Sequence, residues 1–153
     1  MLTLADLIES EQGIRPDCAT PGISEAVVDS RLSIPASLFV AILNGHQYVK
    51  AAFERGSTMA LIQNDVDGDV PVLDLTVPFS VENTLPQPPF AIRVADTTES
   101  LQRLAAYWRK KFNLRVIGIT GSVGKSTTKE LIAEVLSKRF RTLKNLGNYN
   151  NEI

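Results

Sequence analysis

One cysteine in 153 residues, Cys18, is too few for an internal disulfide, and it has no second cysteine or neighbouring histidine at metal-ligand spacing. It reads as an ordinary thiol. Long apolar runs are missing as well: the longest, "LFVAIL" at residues 38–43, is far short of a membrane span. Asp6 and Glu9 interrupt "MLTLADLIES" where a secretory leader needs an unbroken apolar core, so a cytoplasmic location is expected. An excess of either charge is also lacking. The 16 basic and 17 acidic residues leave a net charge of -1, which gives no chain-wide positive field for nucleic acid. Neither nucleic acid nor membrane insertion is expected, and small ligands or protein partners remain. No internal repeat or low-complexity tract is present.

What the sequence does contain, 44% hydrophobic and 22% charged residues, suits a soluble globular protein of one domain, or one domain plus part of another. Leu4, Leu7 and Ile8 in "TLADLIES" recur at helical spacing behind a Thr3 cap, whereas "EAVVDS" and "SLFVAI" have the length of short buried strands. "HQYVKAAFERG" is expected as a helix closed by Gly56, and "TMALIQ" as a strand. Residues 65–89 break the pattern with five prolines from Pro71 to Pro89, and only "PVLDL" is strand-like among them.

"FAIRV" resumes as a strand. A helix follows in "DTTESLQRLAAYWRKKF", with Asp96 and Glu99 at capping-box spacing and Leu101, Leu104, Ala105, Trp108 and Phe112 along one stripe. Its Trp108 belongs to that stripe, and "RKK" is a solvated, dipole-matched helix end. "LRVIGIT" then reads as a buried strand, "KSTTKELIAEVLSKRF" as a helix with Leu131, Ile132, Val135 and Leu136 inward, and "RTLKNL" as a further strand. Strands separated by helices imply an α/β fold with largely parallel pairing. The expected division is a small α/β domain over residues 1–95, a connecting helix over 96–113, and from 114 to 153 a strand, loop, helix and strand too short to bury a core of its own.

The chemistry is concentrated in "GITGSVGKSTTKE". A buried strand is expected to enter a glycine turn that opens an amphipathic helix, and Gly121 and Gly124 permit backbone angles that turn successive N–H groups toward one point. The helix N-terminus adds free N–H groups and a positive dipole end, worth about 0.3–1 kcal/mol to an anion. Tight nucleotide binding also needs Lys125 as a point charge on the β/γ-phosphates and the Ser126 hydroxyl on Mg2+. The pattern G-x-x-x-x-G-K-[ST] is not met in full, because Ile119 stands five residues before Gly124. The bland alternative is a strand-to-helix turn whose glycines serve packing, but it leaves Lys125 and the adjoining "STT" unexplained.

"TGSVGKSTT" resembles the T-G-x-x-G-K-[ST]-[ST] phosphate loop of the Mur ligase family, which lacks the first glycine in the same way. "DSRLSIPASLFVAI" resembles that family's N-terminal signature, D-S-R-x-x-x-x-G-D-L-F-x-A, with Ala36 and Ser37 in place of the usual Gly-Asp. "AAYWRKKFNLRVIGITGS" resembles its junction into the ATP-binding domain, and "KELIAEVLS" followed by "GNYNNEI" is similar to members that use D-alanyl-D-alanine. The segment between "LFVAI" and "GHQYV" is shorter than the family's loop. The likeness covers most of residues 24–62 and 90–153.

The resemblance implies an N-terminal UDP-substrate-binding domain followed by the first strand, phosphate loop, helix and strand of a central ATP-binding domain. The implied activity is ATP-dependent joining of D-alanyl-D-alanine to a UDP-N-acetylmuramoyl tripeptide in peptidoglycan precursor synthesis, through an acyl phosphate, with ATP and Mg2+ as cofactors. Gly121, Ser122, Val123, Gly124, Lys125, Ser126 and Thr127 would bind ATP, Lys125 would stabilise the transferred phosphoryl group, and Ser126 would hold the metal. Ser30 and Arg31, where a strand gives way to a loop, would meet the uridine or diphosphate; without the likeness they read as an Asp/Ser turn with a solvated arginine. His46 could face the nucleotide or serve as a cap. Asn148, Asn150 and Asn151 could orient substrate at a strand's carboxyl end or form a plain Asn-rich loop.

In the family the central domain continues beyond this point and a third domain closes over ATP, so these 153 residues alone are not expected to complete the reaction. Apolar surface normally covered by that sheet is expected to promote self-association or docking onto the first domain. The alternatives are a non-catalytic module that binds UDP-muramyl peptide or nucleotide, and another ligase of the family, of the diamino-acid-adding, folate or cyanophycin type.

Overall fold

The computed structural model describes residues 1–80 and 85–145. Packing divides the chain into two units, Met1–Phe112 and Asn113–Ile153.

The first unit is built on a five-stranded, wholly parallel sheet of β3 (Ala26–Val27), β4 (Leu38–Val40), β5 (Met59–Ile62), β6 (Val72–Asp74) and β7 (Phe90–Arg93), in the order β3-β4-β5-β7-β6. A small antiparallel pair, β1 (Leu2–Thr3) with β2 (Gly22–Ile23), flanks α1 (Leu4–Gln12). Strand alternation gives the sheet two apolar faces. Leu38, Val40, Met59, Leu61, Phe90 and Ile92 pack with Leu4, Leu7 and Ile8 of α1 and Leu104 of α3 (Thr97–Lys110). Phe39, Ala41, Ala60, Ile62 and Ala91 pack with Val49 and Ala52 of α2 (Val49–Glu54). Burial on both faces explains why these strands are continuous apolar runs in sequence. Each fully buried large side chain contributes about 1.5–3 kcal/mol.

The strands and helices expected for this unit form, with bounds shifted by up to three residues; β3 is cut to Ala26–Val27, and the start of the helix expected over 46–56 is a 3-10 turn, Gly45–Tyr48. Thr3 caps α1 in a full capping box with Asp6, and Gly13 ends it in the left-handed conformation. Asp96 caps α3 by accepting from the Glu99 N–H. The expected apolar stripe of α3 is only partly correct. Thr97, Ser100 and Leu104 are buried, whereas Ala105 and Phe112 are exposed. The reason is a polar seam between α1 and α3: the Tyr107 hydroxyl donates to Glu9 at 2.5 Å, Lys111 Nζ to Asp6 at 2.5 Å, and Arg103 to Glu11 at 2.8 Å. Lys111 is therefore an ion-pair partner of a buried carboxylate, not part of a solvated helix end.

The second unit departs further. Its helix α4 (Lys125–Ser137) begins at the expected residue. The preceding "LRVIGIT" forms no strand, and Val116 and Ile117 are 61% and 57% exposed. The described part of "RTLKNL" is also outside any ladder, with Leu143 exposed. A strand is stabilised by its neighbours, and no described residue offers either segment a partner. Leu131 and Val135, expected inward, are exposed for the same reason. Among the described residues no helix is long and apolar enough to cross a membrane.

Candidate functional site

Two regions carry the site residues expected from sequence. The first is the carboxyl edge of the parallel sheet, where open α/β sheets bind ligands. β3 ends at Val27 and the chain turns through Asp29 into a 3-10 turn, Ser30–Leu32. The Asp29 carboxylate accepts from the Arg31 N–H at 2.9 Å and grips the Arg31 guanidinium through its Nη2 at 2.7 Å. These contacts hold the Asp29 carboxyl down at about 2 and raise the Arg31 guanidinium. Ser30 is buried, and the Arg31 side chain is 80% exposed, so its charge is fixed in place but open to a ligand.

β4 reaches the same edge and leads into a 3-10 helix, Gly45–Tyr48. His46 lies in that helix, and its Nε2 accepts from the Gln63 and Asn64 N–H groups at 3.1 and 3.2 Å, just past the end of β5. The ring thereby ties the β4 and β5 ends together. Thr97, the first residue of α3, donates from Oγ1 to the Ala41 carbonyl at 3.0 Å. Its N–H donates to Gln63 Oε1 at 3.2 Å. Ser30, Arg31 and His46 thus share one edge on adjacent strands. Sequence reasoning missed Gln63 and Thr97; the available signals were that Gln63 follows the end of β5 and that Thr97 opens α3.

The family signature also acquires a physical reason. Ala36, where the family pattern has glycine, has φ 63, and its N–H donates to the Gly56 carbonyl at 3.1 Å. Ser37, in place of the usual aspartate, is buried and shares a 2.8 Å hydrogen bond with the Ser57 hydroxyl.

The second region is the loop ahead of α4. Gly121 and Gly124 have φ 145 and 81, backbone that side chains other than hydrogen rarely allow. Gly124 is the N-cap, so no side chain caps the helix, and no acidic residue lies in its first turn. The positive end of the helix is thus uncompensated while Lys125 adds a further positive charge there, an arrangement unfavourable except toward an anion. Lys125 Nζ folds back to donate to the Gly121 carbonyl at 2.7 Å, which holds the ammonium across the loop. Ser122, Val123, Ser126 and Thr127 are exposed around it.

This donor set fits phosphate oxygens. For Mg2+ the fit rests on the Ser126 hydroxyl, since no group of three or more His, Cys, Asp or Glu residues converges as a metal site among the described residues. That suits an ion held mostly by substrate phosphates and water. Asn148, Asn150 and Asn151 lie outside the described residues.

Residues 119–153 match the Mur ligase middle domain. The chain is similar to the UDP-N-acetylmuramoyl-tripeptide–D-alanyl-D-alanine ligase of Synechocystis sp., 36% identical over 135 residues that make up 86% of this chain and 26% of that enzyme. It is similar to the enzyme of the same name from Bacillus subtilis, 34% identical over 92% of this chain and 29% of that enzyme. Among solved structures it resembles MurF from Acinetobacter baumannii, with a TM-score of 0.70 and 26% identity over 97% of this chain and 30% of that one. The chain therefore spans between a quarter and a third of the length of the relatives it matches.

Proposed function

We propose, for a chain that belongs to the Mur ligase family, that these residues supply the UDP-substrate unit and the phosphate loop of an ATP-dependent ligase. That ligase joins D-alanyl-D-alanine to a UDP-N-acetylmuramoyl tripeptide in peptidoglycan precursor synthesis. The observation that carries this is the loop at residues 121–126. Two positive-φ glycines, an uncapped helix N-terminus and a lysine folded across the turn make an anion cradle inside the segment that matches the family's middle domain.

In this reading the N–H groups from Gly121 to Thr127 surround the ATP phosphates, Lys125 neutralises the β/γ oxygens, and Ser126 contributes one ligand to Mg2+. When bound, ATP supplies the phosphoryl group that activates the peptide carboxyl. Arg31, held by Asp29, faces the UDP diphosphate, and Ser30 and His46 shape the edge beside it. Asn148, Asn150 and Asn151 orient the peptide. Domain roles follow the expected division, with residues 1–95 for the UDP substrate and 114–153 opening the ATP-binding domain. A reaction between two anionic reactants needs both sites assembled and water excluded. The reading sets this work in the cytoplasm, where both nucleotides are held.

Titration calorimetry of the chain with Mg·ATP, beside Lys125→Ala, tests the phosphate loop. The variant is expected to bind at least about tenfold more weakly, since a hydrogen bond to a charged group is worth about 1.5–3 kcal/mol. Equal binding by the two proteins would remove the loop's assigned role.

A further inference from the structure

Lys125, Lys129, Ile132, Ala133 and Leu136 of α4 are half-buried and recur at the spacing of one helical face, while Ser126, Thr127, Thr128 and Glu130 between them are exposed. The last turns of this covered face are apolar, but its first two carry lysines. A cation near a helix N-terminus is opposed by the dipole, and a half-buried lysine loses rotamer freedom. Each of the two therefore needs a specific partner. For Lys125 that partner is the Gly121 carbonyl in the loop ahead of the helix.

For Lys129 it lies in the chain that returns after α4. The Lys129 side chain, 18% exposed, donates from Nζ to the Asn145 carbonyl at 2.9 Å. The next helix residue, Glu130, takes the Lys144 ammonium in an ion pair. Two consecutive helix residues thus hold two consecutive residues of the returning chain, 16 and 14 positions further on. The two attachments differ in kind. Lys144 and Glu130 are 42% and 53% exposed, so water screens their pair, whereas the Lys129 bond is shielded. Lys125 and Lys129 stand one helical turn apart, a rise of roughly 6 Å. The returning chain is therefore pinned one turn from the loop, on the same face of the same helix.

We propose that Lys129 is a positioning residue that couples the phosphate loop to the chain leaving Asn145. Asn148, Asn150 and Asn151, assigned above to the peptide, lie outside the described residues, and the chain that carries them starts from this attachment. Phosphates entering the loop draw Lys125 away from the Gly121 carbonyl and fix the first turns of α4. A segment anchored to those turns through Lys129 is ordered with them. Without the anchor, nucleotide binding and the ordering of that segment are independent events. The inference rests on the reading of residues 121–126 as the phosphate loop.

The test is hydrogen exchange of the full chain, free and with Mg·ATP, beside calorimetric titration with Mg·ATP. In the wild type, ATP is expected to slow exchange at residues 142–151 by about fivefold. Lys129→Met keeps the side chain's length and helix preference but has no donor, so it should bind ATP within about twofold of wild type and show no slowing at 142–151. Lys129→Arg restores a donor and should recover most of the slowing. Lys144→Met removes only the screened ion pair and should keep the slowing within about twofold. Exchange at 131–137 in the free protein should be the same in Lys129→Met and wild type, which a residue that merely stabilises α4 would not give. Slowing at 142–151 that persists in Lys129→Met, or that is absent from a wild-type chain that binds ATP, overturns the inference alone. So does faster exchange at 131–137 in free Lys129→Met. No ATP binding by the wild-type chain overturns the phosphate-loop reading and the inference with it.

Discussion

The two units of this chain respond differently to the same kind of sequence signal. In the first, "SLFVAI", "TMALIQ" and "FAIRV" become β4, β5 and β7, each paired on both sides and buried on both faces. In the second, "LRVIGIT" is just as apolar and just as long but forms no strand. α4 and the glycine turn before it nevertheless form where expected. The difference separates local from non-local structure. A glycine turn and a helix are fixed within a few residues, whereas a parallel strand exists only through its neighbours.

The largest effects expected are those that strike the non-local unit. Phe39→Ala removes a side chain 1% exposed between the sheet and α2. It should cost about 4 kcal/mol of the first unit's stability in urea denaturation. Hydrogen exchange in α4 should be unchanged, and loss of α4 protection in the same variant would break the contrast between the units.

A smaller loss, about 3 kcal/mol, is expected for Asp6→Asn. Asp6 is 2% exposed and accepts from Lys111, Arg15 and Thr3. Burial opposes its ionisation, but the hydrogen bonds from Lys111, Arg15 and Thr3 outweigh burial and hold the carboxyl far below the usual carboxylate range. The folded-state value is depressed, so the stabilisation is complete above the ordinary aspartate value of about 4. It is lost as pH falls through the folded value. Denaturation midpoints should therefore be nearly level from about pH 5 to 8 and fall in acid, and Asp6→Asn should flatten much of that fall. Glu9, lowered by Tyr107 and Arg15, leaves a residual slope.

How much of this was legible follows from the same distinction. Thr3, Asp96 and Gly124 act within one helical turn, and their roles at helix ends could be read from sequence. The pairing of Lys111 with Asp6 could not, because it joins residues 105 positions apart. His46 appeared as a lone histidine, and only the folded sheet shows that its Nε2 binds the backbone after β5. The proposed phosphate loop was the most legible part of the candidate site, since its glycines, lysine and serine lie within six residues, 121–126. The carboxyl edge of the first unit's sheet was visible only as "DSR" and a lone His46, because the contacts of Gln63 with His46 and Thr97 arise through topology.

Ala36→Gly should sharpen the comparison in the stabilising direction. Relief of a left-handed alanine is worth about 1–2 kcal/mol, reduced by the added freedom of the unfolded chain, so a net gain of about 1 kcal/mol is expected in the first unit. The smallest effect is expected in the second unit. Val135→Ser, at a residue 71% exposed, should change stability by less than about 0.5 kcal/mol. A loss above about 2 kcal/mol would mean that the outer face of α4 is covered in solution.

The central claim is that one chain carries two nucleotide sites, one on each unit. Hydrogen exchange of the wild-type chain with Mg·ATP and, separately, with UDP tests it most directly. ATP is expected to protect amides 121–128 and leave the first unit unchanged, while UDP protects amides 29–32 and 43–48. Protection of the first unit by ATP, with none at 121–128, would contradict the account.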